Sequence, residues 1–160
     1  MGYNNILLEK TTAEKLTELF EACKAENQII PVSGYRTRKE QEEIFVNSVK
    51  EKGLSFTTKY VALPNSSEHQ TGLAIDVGLN KDDVDFLCPD FPDSGACGRF
   101  NELAADFGFI LRYPEGKEKI TGISYEPWHF RYVGAEHAKI IKKEKLCLEE
   151  YLESKLFLKQ

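Results

Sequence analysis

The sequence predicts an α+β fold, a small central antiparallel sheet flanked by helices, and three observations carry that prediction. Segments with apolar side chains at helical spacing stand near both ends of the chain. Between them lie short apolar or alternating runs, too short for buried helices and suited to strands. Tight Pro-, Gly-, Asn- and Ser-containing turns join those runs, which favours antiparallel pairing.

The 160 residues are enough for one domain, 1–160, whose core needs no covalent staples. A hydrophobic content of 41% with 29% charged residues excludes a disordered, collagenous or membrane-spanning chain. Twenty-one basic against 26 acidic side chains leave a net charge of −5, which argues against nucleic acid as a partner. The opening Met1-Gly2-Tyr3-Asn4 has no basic and apolar leader and fits either a natural start or a trimmed one.

Taken in order, Thr11-Thr12-Ala13-Glu14 reads as a capping box. Ala13, Leu16, Leu19, Phe20 and Cys23 then fall on one helical face. Gln28 to Val32 is a short strand, which Pro31 confines to an edge or an end. Thr37 and Glu40 form a second capping box, for a helix whose face is Ile44, Phe45, Ser48 and Val49 and which Gly53 stops. Phe56 to Val61 reads as loop or strand, and Pro64-Asn65-Ser66-Ser67 as a turn. Leu73 to Gly78 alternates as a half-buried strand does.

Asp90 to Gly98 reads as loop, followed by a helix from about Arg99 to Phe107 that Gly108 ends. Phe109 to Tyr113 is a strand and Pro114-Glu115-Gly116 a turn. Ile120 to Ser124 starts another strand, which Trp128 to Val133 pairs with. Ala135 to about Phe157 is helical by pattern, with Ile140, Ile141, Leu148, Leu152 and Leu156 as its apolar positions. The four cysteines, Cys23, Cys88, Cys97 and Cys147, are scattered and read mostly as small buried hydrophobes. Cys88 and Cys97 flank a loop and would be able to pair in an oxidising compartment.

Two of the three histidines stand in unusual company. In Ser67-Glu68-His69-Gln70-Thr71-Gly72-Leu73-Ala74-Ile75-Asp76, a core-facing Leu73, Ile75 and Val77 leave Asp76 on the opposite face. The Gly72 turn can bring that carboxylate back to His69. In Glu126-Pro127-Trp128-His129-Phe130-Arg131-Tyr132, Phe130 and Tyr132 share one face, so His129 and Arg131 share the other. Two histidines and an aspartate with a fourth position open are what a catalytic zinc requires. Glu126, three residues before His129, is placed to take a proton from water there. By spacing alone, His69 with Asp76 reads more readily as a surface hydrogen-bonding pair than as metal ligands. His137 reads as an exposed helix residue.

Ser67-x-His69-x-x-Gly72-x-Ala74-x-Asp76, followed by Glu126-Pro127-Trp128-His129, resembles the zinc signature of the VanY/VanX group of D-alanyl-D-alanine peptidases. That group shares a superfamily with lysostaphin-type endopeptidases and the hedgehog domain. Ser33-Gly34-Tyr35-Arg36-Thr37-x-x-Glu40-Gln41 and Tyr125 to Gly134 are similar to the VanY and VanXY members in particular. The likeness runs from about Ile6 to about Gly134.

The resemblance implies Zn2+ on His69, Asp76 and His129, on the open face of the sheet, with Glu126 as the catalytic base. It implies that Arg36 stabilises the developing oxyanion, and that Ser67 and Gln41 hold the terminal carboxylate of the substrate. It further implies a D,D-carboxypeptidase or D,D-dipeptidase acting on peptidoglycan precursors or free D-Ala-D-Ala in glycopeptide resistance. An endopeptidase of wall cross-links and a non-catalytic zinc-binding interaction domain are the rival readings; Glu126 and Arg36 speak against the second. No protein partner is evident. Relatives of this kind carry additional sequence or a membrane anchor before the first helix. The expected location is therefore the bacterial cytoplasm for the chain as it stands, or outside the membrane if an anchor has been removed.

Overall fold

The computed structural model of the chain describes residues 6–25 and 27–157; Met1-Gly2-Tyr3-Asn4 and the end of the chain lie outside them. In chain order the elements are α1 (Lys10–Cys23), β1 (Ile29–Ser33), α2 (Arg38–Lys52), α3 (Leu54–Tyr60), β2 (Ala74–Leu79) and α4 (Gly95–Leu103). There follow β3 (Phe109–Leu111), α5 (Glu118–Thr121), β4 (His129–Tyr132), α6 (Ala135–Glu144) and α7 (Leu148–Phe157). The four strands form one sheet in the order β1-β2-β4-β3, every pair antiparallel. Pro31 lies in an edge strand, where its missing N–H costs no ladder bond.

The core fills one face of the sheet. Ile75 and Val77 of β2 and Phe130 of β4 meet Leu16, Leu19 and Cys23 of α1 and Phe100 of α4. Phe100 packs edge-on against Phe130 at 5.0 Å, Phe20 at 5.5 Å and Phe91 at 5.7 Å, the offset geometry that aromatic quadrupoles prefer. A second cluster (Ala105, Ile110, Ala138, Ile141, Tyr151) fastens α6 and α7 to β3. All four cysteines are free. Burial pushes the thiols of Cys23, Cys88 and Cys97 up to about 11, which keeps them protonated and inert.

Several elements differ from the pattern read in the sequence, each for a local reason. Helix α1 starts at Lys10 because Glu9, and not Thr11, caps it: its carboxylate accepts from the Thr12 N–H and hydroxyl. The buried positions of α2 are Gln41 and Ser48, while Ile44, Phe45 and Val49 are half-buried. Residues 56–60 are helical, not loop or strand, since the Gly53 carbonyl accepts from the Thr57 N–H and hydroxyl and starts a new helix.

Strand β2 is buried on both faces instead of one. Helix α4 begins at Gly95, earlier than expected, and tightens into a 3-10 turn at Ala104–Phe107 that Gly108 ends. Residues 120–124 form no strand: Ile120 and Thr121, whose N–H groups the Lys117 carbonyl captures, close the one-turn α5, and Gly122 ends it. The C-terminal helical stretch breaks at Lys145, which adopts a left-handed conformation at φ 53°. Beyond that break Leu152 and Leu156 are exposed, and Tyr151 anchors α7 instead. Among the described residues no helix is long and apolar enough to cross a membrane.

Candidate active site and metal centre

The site lies on the sheet face opposite the core, and the strand register builds it. Asp76 of β2 and His129 of β4 are directly opposed partners, so their side chains leave the same face side by side. The neighbouring pair, Ile75 with Phe130, points the other way into the core. His69 arrives from a 3-10 turn at Glu68–Thr71 that ends at Gly72. Gly72 has φ +72°, and a Cβ there would stand 2.9 Å from the Glu9 backbone nitrogen, so only glycine closes this turn. A bulge in β1 between Pro31 and Ser33 sets Ser33 against Asp76. The Ser33 hydroxyl then accepts from Arg36 Nε at 2.8 Å.

His69, Asp76 and His129 are all buried, and their ligand-type atoms lie within 4.8 Å of one another. The hydrogen bonds around them show whether a cation fits. His69 Nδ1 faces the Gly34 carbonyl at 2.7 Å, which makes Nδ1 the protonated nitrogen and leaves the Nε2 lone pair turned toward Asp76. His129 Nε2 faces Glu68 Oε1 at 2.9 Å, which in the same way leaves the Nδ1 lone pair turned toward Asp76 Oδ1, 3.1 Å away. Asp76 Oδ1 is itself buried and without a hydrogen-bond donor. Two imidazole lone pairs and an orphaned carboxylate oxygen around one point are a donor set for a metal ion. These residues fit one.

The surrounding charges agree. Burial works against the Asp76 carboxylate, yet His69 and His129 hold it well below the ordinary range. Burial lowers His69 and keeps its imidazole neutral, as a ligand must be. Burial also opposes a charged His129, but Asp76, Glu126 and Glu68 together raise it well above the usual histidine value, so the pocket around Nδ1 selects positive charge. Glu126, buried with its Oε2 3.4 Å from His129 Nδ1, is raised by burial, with His129 partly offsetting. Arg36 bonds Asp76 Oδ2 at 2.7 Å, His69 Nε2 at 3.0 Å and Gln41 Oε1 at 3.1 Å. Asp76 is thus the anion that lets a guanidinium sit beside the N-terminus of α2.

A cleft of about 450 Å³ opens onto these groups. Its polar floor carries Arg36, Gln41, Ser67 and Glu126, and its walls include Tyr60, Phe86, Leu87 and Trp128. The profile of the VanY family, D-alanyl-D-alanine carboxypeptidase, matches residues 5–135. The chain belongs to the VanY family.

Among VanY-family relatives, it is 52% identical over 149 residues to the bifunctional D-Ala-D-Ala dipeptidase and D-Ala-D-Ala carboxypeptidase VanXYC of Enterococcus gallinarum, covering 92% of this chain and 78% of the relative. It superposes at a TM-score of 0.92 and 56% identity on the vancomycin resistance D,D-dipeptidase VanXYg in complex with a D-Ala-D-Ala phosphinate analogue. That match covers 93% of this chain but 59% of the solved one. A VanY D,D-pentapeptidase from a VanB-type resistance cassette, in complex with Zn(II), superposes at 0.77 and 37% identity over 95% of this chain and 87% of the other.

All seven residues singled out in the sequence line this one VanY-family cleft. His137 is outside it; its Nδ1 meets the Tyr151 hydroxyl at 2.7 Å on the exposed side of α6. Gln41 is largely engaged already: its carbonyl accepts from Arg36 and its amide donates to the Ala62 carbonyl at 2.9 Å, leaving one N–H to offer. Sequence reasoning missed Glu68, Ser33, Arg112 and Arg131. Glu68 lies immediately before His69 in the motif, and a ligating imidazole calls for an outer carboxylate; Arg131 shares the His129 face by simple alternation.

Proposed function

We propose that the chain is a single zinc-dependent D,D-peptidase domain that removes the C-terminal D-alanine from peptidoglycan precursors or from D-Ala-D-Ala, in glycopeptide resistance. What supports the reading most is that a His-Asp-His donor set, a buried carboxylate and an always-charged guanidinium converge in one small cleft. His69, Asp76 and His129 would hold the zinc. When bound, the ion supplies Lewis-acid polarisation of the scissile carbonyl and makes water more acidic.

The chain's own side chains do the rest. Glu126 takes a proton from the attacking water on its carboxylate and passes it to the leaving amine. Its raised pKa brings it nearer the working pH, where proton transfer in both directions is efficient. Arg36 offers N–H donors, already oriented by Ser33 and Gln41, to the negative charge that develops on the carbonyl oxygen. Ser67 and the remaining Gln41 N–H bind the free terminal carboxylate. Tyr60, Phe86, Leu87 and Trp128, beside the polar groups of the cleft, offer apolar contact to alanine methyl groups.

The test is D-alanine release by the zinc-loaded chain from the free dipeptide and from a precursor pentapeptide, assayed side by side. Release from at least one of them is expected. Release from neither, with cleavage inside cross-linked wall peptides detected by mass, would replace this reading with the endopeptidase one. Zinc binding with no turnover on any wall peptide would favour the interaction domain.

A further inference from the structure

The buried ion-pair chain behind His129 has no part in the chemistry above, and it leads to the last helix. Glu68 turns one carboxylate oxygen to His129 Nε2 at 2.9 Å. Its other oxygen accepts from Arg112 Nε at 2.9 Å and Arg131 Nη1 at 3.1 Å. Arg112 then grips Glu149 of α7 with both terminal nitrogens, at 3.1 Å and 2.7 Å. The same guanidinium lies 4.7 Å from the centre of the Tyr113 ring, and that ring packs 5.0 Å from the His129 ring. Arg112 therefore bears on His129 along two routes, a carboxylate and an aromatic face. Helix α7 stands outside the stretch matched by the family profile, which ends at residue 135.

We propose that Glu68, Arg112 and Glu149 are positioning residues that fix the ring orientation and lone-pair direction of His129, making α7 a structural part of the metal centre. The inference rests on the metal-peptidase reading only in taking His129 as a ligand. The carboxylate of Glu68 holds the proton on Nε2 and so keeps Nδ1 free for a cation. Arg112 and Arg131 hold that carboxylate in place. Glu149 locks the planar Arg112 fork by bidentate pairing, so that Nε, on the edge left over, meets Glu68. Neighbouring Glu150 faces away from this chain of contacts: it pairs with Lys117 at 2.7 Å and accepts the Cys147 N–H at 2.8 Å. It is the internal control.

The experiment measures zinc affinity of the intact chain by chelator competition and, separately, the visible spectrum of the cobalt(II)-loaded protein, which reports ligand geometry. Glu68→Gln should weaken zinc binding by roughly 10- to 100-fold, the usual effect of losing an outer partner of a ligand. Glu149→Ala, at the half-buried outer end of the ion-pair chain, should weaken it several-fold and shift the cobalt bands with the far-ultraviolet circular dichroism unchanged, while Glu150→Ala should do neither. Because Glu149 acts through Arg112 on Glu68, Glu149→Ala in a Glu68→Gln background should add less than it does alone. Wild-type affinity and spectrum in both Glu68→Gln and Glu149→Ala, or strictly additive losses, would overturn the proposal. His129→Ala separates the two levels. If it abolishes zinc binding while those variants do not, the metal centre stands and only the relay falls; if it leaves zinc bound, the metal assignment itself falls.

Discussion

Glu126 and Arg36 show how little of a side chain's role follows from its type and how much from its partners. Glu126 is buried beside His129 yet makes no part of the three-residue donor set, so its removal should spare the metal. Glu126→Ala is expected to keep full zinc content by elemental analysis and to lose turnover ~100- to 10,000-fold, as removal of a general base does; near-normal turnover would assign the base elsewhere. Arg36 is braced by Gln41, which joins two functions that appear separate in the sequence. Gln41→Ala should therefore raise KM, from the lost grip on the terminal carboxylate, and lower kcat as well, from a slack Arg36. Comparing acid and amidated substrates divides the two: the KM effect should vanish on the amide and the kcat effect should persist. An unchanged kcat on both substrates would show that Gln41 does not orient Arg36.

At the scale of elements, the segments with strong local signals are the ones the sequence revealed, and the failures fall where tertiary contacts decide. The Thr37–Glu40 capping box, the edge strand at Pro31 and the Gly108 stop were all legible because each is a short-range contest between backbone and side chain. Asp76 and His129 were legible because alternation on two strands puts them on one face, and His69 because the Gly72 turn leads back from Asp76 to it. The helix at 54–60 and the break at Lys145 were not, since neither Gly53 nor Lys145 declares a left-handed turn without its neighbours. Glu68 was hidden for another reason: its partners are 44, 61 and 63 residues away.

The turn that carries His69 makes the sharpest element-level test. Gly72→Ala forces a Cβ into a left-handed position and against the Glu9 nitrogen. It should lower stability by about 1–3 kcal/mol and weaken zinc binding together, read by urea melts and chelator competition. Lost stability with untouched affinity would mean that the turn does not set the ligand.

For the whole molecule, the separation of core from site predicts what happens when the metal is withdrawn. The large aromatic cluster and the site occupy opposite faces of the same sheet, and none of His69, Asp76 and His129 belongs to either hydrophobic cluster. Chelation should therefore leave the far-ultraviolet circular dichroism unchanged and lower the melting temperature, with zinc restoring it. The stabilisation follows mass action, about 4 kcal/mol at a thousandfold excess over Kd. Collapse of secondary structure on chelation would show that the donor set holds the sheet together. The metal-free protein should also reveal the charges left behind. Burial opposes the Glu68 carboxylate, but His129, Arg112 and Arg131 prevail and bring its pKa down to about 2 from an ordinary 4.5. A depressed carboxylate stabilises the fold in full above its unfolded pKa and loses that contribution as the pH falls. The urea midpoint should accordingly drop as the pH is lowered from about 4.5 toward 2. Glu68→Gln should flatten that slope without removing it, because Asp76 is depressed in the same direction and titrates in the same acid range. An identical slope in the variant would mean that the folded protein gives Glu68 no more than water does.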